Sequence, residues 1–159
     1  MAKKEEKTNV MRVLEQKKIT YKEYTYECDT ALSGDEVANI LGQNPEMVFK
    51  TLVTTNGKNN YYVFMVPVCK ELNLKKAAKA VCEKSIEMIK SKDLLGLTGY
   101  VHGGCSPIGM KKLFTTTIDE TAELFDTIIF SGGKIGFQVE ISPKDLEPLV
   151  NLKYADITD

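Results

Sequence analysis

The chain has 159 residues, no tryptophan and a single histidine, His102. With one imidazole, and with four cysteines (Cys28, Cys69, Cys82, Cys105) that show no Cys-x-x-Cys spacing, neither a zinc ribbon nor a redox dithiol is expected. No metal or other cofactor is expected either. Free thiols fit a reducing, cytoplasmic setting. No apolar run reaches the length needed to span a bilayer. The charged start, Met1 to Lys7, has no apolar stretch after it, so no leader peptide is expected and residues 1–7 read as a disordered polar start. Net charge is −1, so nothing global attracts nucleic acid, and any RNA contact must come from a local basic patch. There is no repeat, low-complexity tract or linker, and 1–159 reads as one domain.

What is present is the composition of a globule with a real core, 43% apolar and 27% charged. Val10, Val13 and Leu14 fall at helical spacing. Ile19 to Glu27 reads as a strand. Ser33 to Glu36 forms a capping box ahead of Val37, Ile40 and Leu41, with Gly42 as the stop. Val48–Thr55 and Tyr61–Val68 read as strands joined through Asn56-Gly57, a hairpin signal. Asn73 caps a basic helix over 74–81. Ser85–Ile89 reads as a short strand and Lys92–Gly96 as a short helix. Leu113–Thr117 reads as a strand and Asp119 as the cap of a short helix ending near Leu124. Two further strands, Thr127–Ser131 and Gly136–Ile141, flank Gly132-Gly133-Lys134. Ser142-Pro143 opens a closing helix. Hairpins with inserted helices, rather than strict alternation, indicate an α+β fold.

The run from Gly99 to Gly109 holds four glycines and Pro107, so it is neither helix nor strand interior. It reads either as a surface loop or as backbone brought close to a ligand. Lys50, inside the apolar strand Val48–Val53, points either to solvent or into a pocket, where it would fix a positive charge. Lys75, Lys76 and Lys79 form either a solvated helix face or an RNA-facing stripe. Ser106 lacks a Gly-x-Ser-x-Gly elbow and an evident His–acid pair, and Cys105 lacks an activating partner. Ser131-Gly132-Gly133-Lys134 is either a hairpin turn or a second wall of backbone donors.

Four segments in order resemble one family: Val48-Phe49-Lys50-Thr51-Leu52, Leu72 to Ala78, Thr98 to Gly109, and Ser131 to Gly136. Together they resemble the YbaK branch of the YbaK/ProRS-associated editing domains, free-standing cysteinyl-tRNA(Pro) deacylases, over roughly Asn9 to Asp156. The Gly103-Gly104-Cys105-Ser106-Pro107 form resembles the cysteine-specific branch. The resemblance implies a mixed barrel-like β-sheet with flanking helices. It also implies hydrolysis of the ester between an amino acid and the terminal adenosine of tRNA, with the substrate's own thiol as nucleophile. It places Lys50 as the essential lysine, Gly103 and Gly104 as backbone donors to the oxyanion, and Tyr26, Ser106, Ser131, Gly132, Gly133 and Gln138 in the substrate pocket. Gln138 stands where better-known members carry aspartate. It cannot act as a base, and Glu140, on the same strand face, is a weak substitute. The implied partners are the acceptor end of tRNA(Pro) and prolyl-tRNA synthetase. A module that holds tRNA ends or a synthetase without turnover, and a hydrolase of another activated ester, stand as alternatives.

Overall fold

The computed structural model describes residues 7–27 and 32–159. Among these, five helices accompany two sheets: an antiparallel sheet of three strands and a mixed sheet of five.

The helices begin where side chains can satisfy the free N–H groups of a first turn. In α1 (Asn9–Gln16), Thr8 Oγ1 accepts from the Met11 amide, and Val10, Met11 and Leu14 are fully buried. In α2 (Gly34–Leu41) both halves of the Ser33–Glu36 capping box form, and Gly42 ends the helix at φ 68°. Asn73 caps α3 (Leu74–Ala80). The helix α4 (Ser91–Thr98) leads into the glycine loop through Gly99 at φ 87°. Ser142 and Pro143 open α5 (Pro143–Val150).

The strands are β1 (Lys22–Thr25), β2 (Phe49–Thr55), β3 (Tyr61–Pro67), β4 (Glu87–Met88), β5 (Thr115–Asp119), β6 (Ile128–Ser131), β7 (Phe137–Ile141) and β8 (Leu152–Ala155). The small sheet runs β1-β7-β6 and the larger one β4-β2-β3-β5-β8. Among the described residues a parallel bridge, Val48 to Ile129, joins them. The β2–β3 hairpin forms with a longer loop than a two-residue turn. Thr55 pairs with Tyr61, and Asn56 Oδ1 accepts from the Lys58 and Asn60 amides at 2.8 and 3.3 Å, folding residues 56–60 into the loop. The expected helix from Asp119 is a 3-10 turn, Glu120–Leu124. Sequence patterning shows no strand at 152–155, yet β8 pairs in parallel with β5.

Phe64, Phe130, Met65, Ile118 and Leu146 are completely buried between the sheets and helices. Asp119, also buried, clasps the C-terminal segment: its carboxylate accepts from the Ile157 amide at 3.1 Å and from the Thr121 hydroxyl at 2.7 Å. Pairing of this kind is what makes a buried carboxylate tolerable.

Candidate active site

Strand register assembles the site. Lys50 and Ser131 each stand two residues beyond the bridged pair Val48–Ile129 in a parallel arrangement, so alternation sends both to one face. Ser131 lies opposite Gln138 across the β6–β7 ladder. All three border one cavity of about 400 Å³. Tyr26, following β1, and Gly103, from the glycine loop, complete its wall, and His102 stands at the same loop. The Lys50 side chain is 29% exposed, with Nζ 3.6 Å from a carboxylate oxygen of Glu71.

The two glycine turns meet this cavity unequally. Gly103, at φ 87°, borders it, and its N–H makes no hydrogen bond to the described residues. The Gly104 N–H is already given to the Val101 carbonyl at 2.9 Å. A side chain at Gly104 would press on the Ile135 amide nitrogen at 3.0 Å, so this glycine lets the two turns pack together. Gly132 donates to the Phe137 carbonyl at 2.8 Å and Gly133 to Ser131 Oγ at 3.1 Å. Neither borders the cavity, and their N–H groups are spent holding the turn. The Ser131 hydroxyl proton remains able to donate. Ser106 is fully buried behind the wall, where its Oγ accepts from the Ile108 amide at 3.4 Å.

Residues 28–149 match the sequence profile of the aminoacyl-tRNA editing domain. The chain belongs to that family. EbsC of Enterococcus faecalis (strain ATCC 700802 / V583), provisionally described as a Cys-tRNA(Pro)/Cys-tRNA(Cys) deacylase, is 47% identical over 161 residues, which cover 99% of this chain and 98% of EbsC. Two solved structures share the fold. Hypothetical protein APE2540 matches with TM-score 0.85 at 21% identity, over 94% of this chain and 99% of its own. A candidate trans-editing enzyme for prolyl-tRNA synthetase matches with TM-score 0.77 at 24% identity, over 87% of each chain.

The cavity of this editing domain contains one thiol from the described residues, that of Cys105. Burial pushes its pKa up to about 12, so it stays protonated through neutral pH. Cys69 and Cys82 are exposed elsewhere, and Cys28 lies outside the described residues. Glu140 is not at the cavity. Its carboxylate accepts from the Tyr24 hydroxyl at 2.5 Å and from the Thr127 hydroxyl. Lys76 is held by Asp156 at 3.1 Å and by the Thr158 carbonyl at 2.7 Å, while Lys75 and Lys79 are exposed on α3 and away from the cavity.

Several contributors carry no local sequence signal. Thr51 Oγ1 is buried at the cavity with no hydrogen-bond partner among the described residues. The start of α2, Ser33 to Asp35, borders the cavity, and Gly34 is required there because any Cβ would collide with Val68. Gln43 reaches Gln138 from beyond the end of α2, with Nε2 2.8 Å from Gln138 Oε1. Among the described residues no helix is long and apolar enough to cross a membrane.

Proposed function

We propose that this protein is a free-standing deacylase that hydrolyses cysteine mischarged onto tRNA(Pro), with the substrate's own thiol as the nucleophile. The observation that carries this reading is a cavity rich in hydrogen-bond donors whose one thiol among the described residues is held protonated. Lys50, Gly103, Ser131 and Gln138 can bind and polarise an ester, but among the described residues no side chain there is an activated nucleophile. The attacking group then comes with the substrate.

An aminoacyl ester is already activated, so positioning and charge stabilisation suffice. Lys50 holds the terminal phosphate or ribose. The Gly103 N–H donates to the carbonyl oxygen as negative charge develops on it. The substrate thiolate forms a C–S bond to its own carbonyl carbon, and the C–O bond to the ribose breaks. The ribose oxygen takes up a proton, and water opens the cyclic thioester to free cysteine. A serine hydroxyl is a far weaker nucleophile at the same position.

The acceptor end of tRNA is the macromolecular substrate, and the cytoplasm is its setting. With net charge −1, this chain has too little positive charge to hold tRNA tightly by itself, and prolyl-tRNA synthetase is the partner that would supply the choice of tRNA. The deciding experiment is deacylation of Cys-tRNA(Pro) by purified protein, with Lys50→Ala alongside. Release of cysteine by the wild type and loss in the variant is the expected result. Binding of the charged tRNA without release would make the protein a binding module instead.

A further inference from the structure

Gly42 adopts the left-handed conformation that closes α2, and the Gln43 amide folds back onto the Ala38 carbonyl at 2.8 Å. This reversal brings the Gln43 side chain to β7, where Nε2 donates to Gln138 Oε1 at 2.8 Å. Gln138 is 6% exposed and borders the cavity. Its carbonyl oxygen is therefore occupied, while its Nε2 makes no hydrogen bond to the described residues and is not among their sealed polar atoms. We propose that Gln43 is a positioning residue that fixes the Gln138 carboxamide with its N–H groups toward the cavity, making Gln138 a donor to an acceptor atom of the substrate.

Only the hydrogen-bond network distinguishes the two ends of a carboxamide. Gln43 Oε1 is buried without a partner. Turning both amides over would place an NH2 group at that sealed position and orphan its donors. Orphaned buried N–H groups are rarer than under-satisfied carbonyl oxygens, so the network holds the observed orientation. The chemical consequence is a change of sign. An aspartate at this position offers only acceptor oxygens at neutral pH, and its charge opposes a thiolate or an oxyanion beside it. A carboxamide locked nitrogen-inward is neutral and donates to either. This assignment of a role toward substrate rests on the deacylase reading, whereas the Gln43–Gln138 orientation does not.

The test has two parts. In the full-length protein without substrate, side-chain amide NMR reads hydrogen exchange, with Gln43→Glu and Gln138→Glu supplying the assignments. The Gln138 NH2 is expected to exchange with solvent faster than the hydrogen-bonded Gln43 NH2, and the reverse order overturns the proposal. Kinetics on Cys-tRNA(Pro) form the second part. Gln43→Glu replaces the donor with a carboxylate, so Gln138 must turn its nitrogen toward residue 43 and its oxygen toward the cavity. The expected loss in kcat is on the order of tenfold, matched by Gln138→Glu, while Gln43→Met, which leaves Gln138 free to rotate, loses less. Thermal melts accompany each variant, and if Gln43→Glu does not fold, Gln43→Met and the exchange order decide. Unchanged kcat in a folded Gln43→Glu sinks the proposal. If the wild type releases no cysteine, the deacylase reading fails and the proposed role toward substrate falls with it, while the exchange order still tests the orientation. Turnover with a reversed exchange order sinks the roles of both Gln43 and Gln138 and leaves the deacylase reading standing.

Discussion

Lys50 Nζ stands 3.6 Å from a carboxylate oxygen of Glu71 at the cavity, and Glu71 is 81% exposed where Lys50 is 29% exposed. The pair is long and reaches into solvent, so it holds Lys50 weakly. An incoming phosphate or carbonyl can displace Glu71 and take over the charge. Lys50→Ala is expected to lower deacylation by about a hundredfold or more, the scale of removing one preorganised electrostatic contact. Its thermal melt should stay close to wild type, because the packing of β2 rests on the buried neighbours Phe49 and Val53. Near-normal activity in this variant removes Lys50 from the site.

Glu71→Gln tests the other half of the pair. If Glu71 only competes with substrate for Lys50, its loss frees the lysine. KM should fall, by no more than about fivefold for a contact worth under ~1 kcal/mol, with kcat unchanged. A large fall in kcat would give Glu71 a part in the chemistry.

Gly57 and Gly103 both have positive φ, 81° and 87°, so valine at either position is strained by a similar amount, about 1–2 kcal/mol. Gly57 sits in the β2–β3 loop with nothing near its missing side chain, while Gly103 borders the cavity. Backbone strain is therefore alike in the two variants, and only Gly103→Val should lose kcat. Gly104→Val should be less stable than Gly57→Val, since its side chain meets the backbone of Lys134 and Ile135. Equal kinetics for all three would make the glycine loop purely structural.

What could be seen in the sequence was local. The Ser33–Glu36 box, Gly42, the Asn73 cap and Pro143 are decided within one turn of helix, and each stands where its spacing puts it. β8 was hidden because Leu152 to Ala155 is held by pairing with β5 rather than by its own propensity. The four candidate glycines looked equivalent as composition. Only the fold shows that the N–H groups of Gly104, Gly132 and Gly133 are spent internally, leaving that of Gly103. Ser106 likewise looked available within its motif and is sealed behind it. Gln43 gave no signal at all, because its partner lies 95 residues away.

Cys105 offers a test that does not depend on substrate. Its pKa is raised from 9.0 to about 12, chiefly by burial, so the folded state keeps the proton that the unfolded chain releases. The folded protein therefore binds more protons above 9.0, and the stability this provides is whole below that pH and is lost toward about 12. Cys105→Ala should flatten this part of the alkaline loss in thermal melts, measured against wild type so that the tyrosines cancel. Iodoacetamide should label Cys69 and Cys82 well before Cys105. Deacylation and its pH profile should persist in Cys105→Ala. Abolished activity in a folded variant would make the enzyme thiol the nucleophile.

Selectivity between cysteine and serine on the same tRNA separates the mechanisms most sharply. The two side chains differ little in size, and a pocket discriminating by fit alone reaches only roughly a hundredfold against so close an analogue. If the substrate's sulfur attacks, Cys-tRNA(Pro) should exceed Ser-tRNA(Pro) by more than that. The rate should rise with pH toward the thiol's own pKa of about 8.5, because the thiolate is the reacting species. The inward-facing amide of Gln138 would shift this rise to lower pH by stabilising the thiolate. Gln138→Glu, with a negative charge in the same place, should move it upward. A protein base would give a rise fixed by that base and shared by both substrates. Equal rates for the two charged tRNAs, with one common pH profile, would refute substrate assistance and return His102, the one imidazole at the cavity, to consideration as a base.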